Sequence, residues 1–331
     1  MKKIMGTGLW ALLLTSLLTV PAWAQELIVG GQAVGIQISP EGVLVAGVSE
    51  VQTPDGAVSP AAEAGIQAGD LITAVDGRPV ADAPALMDAV AAAGEEDLAL
   101  SVRRGGQELT LHVTPAQSAE ERPMLGILLR DALSGIGTLT FCDPESGRFG
   151  ALGHSVNDGG TGLPIPLHSG SISDAQIVSV QPGTPGKPGE LGGVSDLGSM
   201  LGEIESNTDA GIFGSLYECL DGQRLEIGSI TAGPATIVST VAGRERRSYA
   251  VEVNRVYRDA GGTHAMLSVT DAALLQRTGG IVQGMSGSPI LQNGRLVGAV
   301  THVFLSNPTR GYAVSIQDML RAAGLAAEQA A

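Results

Sequence analysis

The stretch Gly284-Met285-Ser286-Gly287-Ser288-Pro289, running into Ile290-Leu291-Gln292 and the pair Asn293-Gly294, decides how this chain reads. A serine between two glycines on a tight loop suits a nucleophile, because glycine permits positive φ and lets a substrate carbonyl approach the backbone closely. The amides of Gly284 and Ser286 can then both face a developing oxyanion, the largest electrostatic contribution in acyl transfer. Asn293-Gly294 between two apolar runs is a type I′ hairpin signal, which fixes the serine loop to a strand from Arg295 to Phe304. Taken alone, the hexapeptide reads equally well as an ordinary Gly/Ser loop ahead of a hairpin. Ser288, directly before Pro289, reads as a loop or pocket residue rather than the nucleophile.

A serine needs an adjacent base, and the base needs an orienting group. Of the five histidines, His112 falls in a separate first unit, and His168 and His264 sit in polar, turn-like contexts. His302 lies inside the strand that follows Ser286, as an interior or edge histidine. His154 follows the apolar run Gly150-Ala151-Leu152 at a strand-to-loop junction, among small residues, where an imidazole can enter a cleft. For the third group, Asp158, Asp174, Asp196, Asp209, Asp221, Asp259 and Asp271 all lie between His154 and Ser286, and composition does not choose among them. Asp271 ends an apolar strand fifteen positions before the serine, and it also reads as the N-cap of a helical turn over Ala272 to Gln276.

The chain of 331 residues is long enough for about two domains. With 44% hydrophobic but only 3% aromatic residues, its cores are built from Val, Ile, Leu and Ala. Glycine is abundant, at 47 residues, and many short apolar runs point to β-rich structure with frequent turns. Lys2 and Lys3, the apolar run Leu9 to Val20 and Ala22-Trp23-Ala24 compose a secretory signal peptide over residues 1–24. The run is shorter than the ~20 apolar residues a span requires, so no stable membrane span is expected after cleavage. The formal net charge is −15, or −17 without those two lysines, which argues against nucleic acid and anionic lipid as partners. Cys142 and Cys219 have no cysteine or histidine at ligand spacing, which excludes a metal site, and export permits either a disulfide or two thiols.

Residues 25–115 read as a first unit. A buried strand over Val43 to Val48 is followed by Ser59-Pro60-Ala61-Ala62-Glu63-Ala64-Gly65-Ile66 and by Gln67-Ala68-Gly69-Asp70-Leu71-Ile72-Thr73-Ala74-Val75-Asp76-Gly77. Asp82 then caps a helix that stops near Gly94, and two alternating strands turn at Gly105-Gly106. This order resembles the PDZ domains of bacterial exported proteases, an α+β module in which a glycine-containing loop captures a peptide C-terminus and the peptide adds a strand. The resemblance places that loop on Gly35, Ile36, Gln37 and Ile38, with a peptide C-terminus or internal segment as the partner. Residues 116–123, with Pro115 just before them and Pro123 at their end, read as a linker. From Met124 onward many short strands predict a β-barrel or paired-barrel domain, with no helix of useful length before a tail helix from Ile316 to Ala327.

Gly135-Ile136-Gly137-Thr138-Leu139-Thr140, Gly150-Ala151-Leu152-Gly153-His154 and Gly186-Lys187-Pro188-Gly189-Glu190-Leu191 resemble the stage IV sporulation protein B serine peptidases. So do Gly279-Gly280-Ile281-Val282-Gln283-Gly284-Met285-Ser286-Gly287-Ser288-Pro289-Ile290 and Gly298-Ala299-Val300-Thr301-His302-Val303-Phe304. The resemblance implies a mostly β chain in which a PDZ-like domain precedes a chymotrypsin-like β-barrel peptidase domain over residues 124–331, with no cofactor and no metal. It implies His154, Asp271 and Ser286 as the triad, though Asp271 stands closer to the serine than chymotrypsin-like chains usually place their aspartate. It further implies an exported endopeptidase that acts between the forespore and mother-cell membranes, cleaving itself and a membrane-bound inhibitor of an intramembrane protease and so triggering pro-sigma factor processing. Two other readings remain open: a secreted PDZ scaffold without a working triad, and a quality-control protease of the HtrA type.

Overall fold

The computed structural model describes residues 25–157 and 162–325, so the expected signal peptide and Asp158 lie outside the described residues. Among the described residues no helix is long and apolar enough to cross a membrane. The chain is mostly β, arranged as two barrels and one smaller sheet.

The first barrel takes its strands from Ala33–Pro40, Leu133–Cys142, Arg148–Ala151, Leu167–Gln181, Glu190–Thr208 and Gly211–Leu216. Leu133–Cys142 pairs with Ala33–Pro40 along its first half and with Arg148–Ala151 along its second, which closes the six strands into a ring. Glu26–Val29 and Arg224–Glu226 extend the sheet beyond Leu133–Cys142. Phe141, Phe149 and Phe213 are fully buried on these strands: Phe149 fills this barrel's core, whereas Phe141 and Phe213 pack with Leu296, Val314 and Met319 of the C-terminal half. Cys142 and Cys219 form a disulfide with Cα atoms 6.2 Å apart. The second barrel is closed by Gly233–Ser239, Arg247–Asp259, Gly262–Val269, Pro289–Gln292, Arg295–Phe304 and Asn307–Ser315, around Ile237, Val251, Leu267, Ile290 and Val300.

The smaller sheet runs Ile127–Arg130, Val43–Val48, Leu71–Val75, Leu98–Arg104, Gln107–Val113 and packs on the helix Ala83–Ala93. Asp82 caps that helix as the sequence predicts, accepting from the Ala85 amide at 2.8 Å. The sheet is inserted within the first barrel, because Ala33–Pro40 and Leu133–Cys142 are antiparallel neighbours and the inserted unit is the connection between them.

This topology corrects two expectations. Gly35, Ile36, Gln37 and Ile38 are not a peptide-capturing loop. They pair with Leu133–Ile136 on one edge and with Gly170–Ser173 on the other, so neither edge can accept a peptide strand. Nor do residues 116–123 separate two domains. Ala116–Gln117 and Pro123–Met124 pair as a small hairpin, the Ser118 hydroxyl accepts from the amides of Glu120 and Arg122, and the chain then returns to the inserted sheet as Ile127–Arg130.

Candidate active site

The serine loop occupies residues 279–288, between the helix Ala272–Thr278 and the strand Pro289–Gln292. Two threonines two positions apart on Leu133–Cys142 share one face of that strand and clamp the loop. The Thr138 hydroxyl donates to the Gly284 carbonyl at 2.8 Å, and the Thr140 hydroxyl donates to the Gly287 carbonyl at 2.8 Å. The Thr138 amide donates to the Ser286 carbonyl, and the Gly287 amide to the Val300 carbonyl. Gly287 has φ +93°, and a Cβ there would lie 2.0 Å from the Thr138 carbonyl oxygen, so only glycine fits between the two barrels at this point.

The clamp determines where the free amides face. The Gln283 carbonyl accepts from the Leu191 amide, and the Met285 carbonyl accepts from the amide and hydroxyl of Ser288. Within each planar trans peptide unit the N–H points opposite to the C=O. The amides of Gly284 and Ser286 therefore face away from these partners, and they have no hydrogen-bond acceptor among the described residues. Both residues line a cleft of about 670 Å³ between the barrels.

His154 reaches the same cleft from the other wall. After Arg148–Ala151 the chain turns through Leu152 at φ +67° and Gly153 at φ +70°. A leucine in this region is strained, and its side chain is held by burial in the first barrel's core. Nδ1 of His154 bonds the Ser155 carbonyl at 2.7 Å. A carbonyl only accepts, so Nδ1 carries the hydrogen and Nε2 is the basic nitrogen. Burial first, and then the neighbouring His302, push the His154 pKa down to about 4, against the opposing bond to the Ser155 carbonyl. The loop beyond His154 is pinned by Asn207, which accepts from the Val156 amide and donates to the carbonyls of Val156 and Ile165.

The geometry departs from the expected triad in two respects. Ser286 gives its hydroxyl hydrogen to the Thr301 carbonyl at 2.6 Å rather than to His154. Asp271 does not line the cleft: it caps Ala272–Thr278, with one carboxylate oxygen accepting from the Leu274 amide and the other from the Ala250 amide. The capping role, which local sequence also signals, is the one it fills, and no carboxylate among the described residues lines the cleft. Asn207 was missed because an isolated asparagine in a glycine-rich run carries no motif.

A second surface has the open strand edge that Gly35–Ile38 lacks. Ile127–Arg130 ends the inserted sheet, with one edge on Val43–Val48 and the other unpaired among the described residues. The turn before it contains Leu125 and Gly126, the latter at φ +72°, and the amides of both have no acceptor among the described residues. The exposed Met87 stands on the helix Ala83–Ala93, whose Ala83 amide donates to Asp131 just past that edge strand. The sequence carried the signal in Met124-Leu125-Gly126-Ile127, which stands next to the segment read as a linker.

Two barrels with a serine loop and a histidine facing each other across their junction, and a peptide-binding module inserted in the first, define a serine peptidase architecture with a PDZ domain. The sequence model of the SpoIVB peptidase S55 family matches residues 121–320, and that of the PDZ domain matches residues 56–104. The first match covers more than half of the chain, and the protein belongs to the SpoIVB peptidase S55 family. It is also 46% identical over 57 residues to serine protease HTRA3 of Mus musculus, a match covering 17% of this chain and 12% of that protein's length. Among solved structures, the active form of the Rv3671c protease from M. tuberculosis is 12% identical with a TM-score of 0.34, covering 59% of this chain and 76% of that one. A thermostable serine protease, AL20, from an extremophilic microorganism is 11% identical with a TM-score of 0.35, covering 58% of this chain and 92% of that one.

Proposed function

We propose that this protein is an exported serine endopeptidase that cleaves itself and a membrane-associated regulatory protein during endospore formation, and so triggers pro-sigma factor processing. The observation that carries the enzymatic part is the placement of Ser286 between two unpartnered amides, in one cleft with a histidine whose Nε2 is neutral and basic. The substrates and the setting rest on family membership.

In this reading a substrate N–H takes over the Thr301 carbonyl, and the Ser286 hydroxyl turns to Nε2 of His154. His154 accepts the proton as the serine oxygen attacks the scissile carbonyl. The amides of Gly284 and Ser286 hold the oxyanion. His154 then protonates the leaving amine, and water resolves the acyl-enzyme. The cleft walls, which include Ile136, Leu152, Ile281 and Val282, exclude water from the developing charge. The PDZ domain supplies a second hold on protein partners by adding a peptide strand to the free edge of Ile127–Arg130.

Intact mass and fluorophosphonate labelling of the purified protein, wild type beside Ser286→Ala, test the enzymatic part. Self-truncation and one covalent adduct in the wild type alone are expected. No cleavage and no adduct in either would favour the secreted PDZ scaffold. Broad degradation of unfolded proteins, rather than cleavage of one or two partners, would favour a quality-control protease.

A further inference from the structure

The imidazole of His302 lies against that of His154, with ring centroids 4.3 Å apart and planes inclined by 33°. His302 belongs to Arg295–Phe304 of the second barrel, and His154 belongs to the first. The strand's pairing with Asn307–Ser315 is irregular between Val300 and Val303, which re-aims the side chains of Thr301 and His302 into the cleft. One short segment thus meets both reacting side chains: the Thr301 carbonyl holds the serine, and the next side chain covers the histidine. Nothing in the peptidase reading uses His302, and its exposure shows that its ring is not needed to fill a core.

A histidine base has to be held in one plane so that Nε2 faces the nucleophile throughout the reaction. In serine peptidases with a carboxylate partner, a second hydrogen bond to Nδ1 does this. Among the described residues Nδ1 bonds only its neighbour's carbonyl, on the same loop, and no carboxylate lines the cleft. A stacked ring from the opposite barrel restrains the remaining freedom, rotation of the imidazole out of plane.

We infer that His302 is a positioning residue for the base, fixing the imidazole of His154 by ring stacking across the barrel junction. The inference rests on the peptidase reading. Among the described residues His154 and His302 are the only titratable side chains lining the cleft.

The test is the rate of fluorophosphonate labelling of Ser286 as a function of pH in the full chain, comparing wild type, His302→Ala and His302→Phe, with thermal melting of each. A lost restraint on a catalytic group costs on the order of tenfold to a hundredfold, so His302→Ala should slow labelling by that factor with an unchanged melting temperature. His302→Phe keeps the stacked ring and should label at close to the wild-type rate. The acid limb should move to higher pH in His302→Ala, because burial of His154 and the charge of His302 both hold its pKa down. Labelling of His302→Ala at the wild-type rate, or equal damage by alanine and phenylalanine, would overturn the inference. If the wild type itself takes no label, the peptidase reading fails, and this inference with it.

Discussion

Ser286 and Thr301 are joined by a 2.6 Å hydrogen bond from the serine hydroxyl to the threonine carbonyl, and this contact sets the rotamer of the proposed nucleophile. Two positions on, Ser288 is fully buried, donates to the Met285 carbonyl at 2.7 Å and shares a contact with the Ser239 hydroxyl at 3.0 Å. The two serines should therefore fail differently. Ser286→Ala should leave the melting temperature unchanged and abolish the fluorophosphonate adduct. Ser288→Ala leaves buried polar atoms without a partner and should cost about 1–3 kcal/mol in denaturant unfolding, while the adduct still forms. Peptide mapping of the labelled site decides, and an adduct that survives Ser286→Ala would reject Ser286 as the nucleophile.

Asp271 separates a cap from an orienting carboxylate. Asparagine caps helices as well as aspartate does, whereas alanine costs about 0.5–2 kcal/mol. Asp271→Asn keeps the cap bond from the Leu274 amide and loses the longer one from the Ala250 amide, so it should cost little stability and leave the cleavage rate near wild type. Asp271→Ala should lose more stability with a small change in rate. An orienting aspartate predicts a very different result, since its replacement by asparagine costs about 10⁴ in kcat. Steady-state kinetics on Asp271→Asn would show which role the residue has.

Strong local chemistry was legible in the sequence. The Gly284–Pro289 loop, the hairpin at Asn293-Gly294 and the capped helix after Asp82 each declare themselves within a few residues. Pairings distant in sequence were not legible. Gly35–Ile38 carries the composition of a peptide-binding loop, and only the later strands Leu133–Cys142 and Leu167–Gln181 cover its two edges. The strand Glu190–Thr208 has four glycines and few buried residues, so it shows no alternation, although it pairs along much of its length. His302 reads as an ordinary strand histidine because its partner lies in the other barrel.

The acid behaviour of the protein should follow His154. Its pKa of about 4 in the folded chain lies below the ordinary 6.5, so the base stays neutral and active well below pH 6. The acid limb of kcat/KM in the free enzyme should fall near 4. For stability the sign is the reverse of a paired histidine. Above 6.5 both states are neutral and the group contributes nothing. Between 6.5 and about 4 the unfolded chain takes up the proton first, so stability is lost as pH falls. His154→Gln removes this loss. The stability difference between variant and wild type, measured by urea unfolding at about pH 7.5 and about pH 5, should shift in the variant's favour at the lower pH.

Asn207 ties the loop beyond His154 to the long strand Glu190–Thr208 through three hydrogen bonds, two as donor at 2.8 and 3.0 Å and one as acceptor at 2.8 Å. Its amide is the side-chain type that can serve an N–H and two carbonyls at once. Asn207→Asp keeps the acceptor, loses both donations and sets a negative charge against the carbonyls of Val156 and Ile165. The loop should then loosen and carry His154 out of register. A misplacement of this kind costs on the order of a hundredfold in rate, which should appear in kcat more than in KM because Asn207 itself does not line the cleft. Hydrogen exchange at the Val156 and Ile165 amides should rise in parallel. Normal exchange with a lowered kcat would mean that Asn207 acts on the reaction by another route, and an unchanged kcat would mean that the Ser155 carbonyl and His302 hold the base without it.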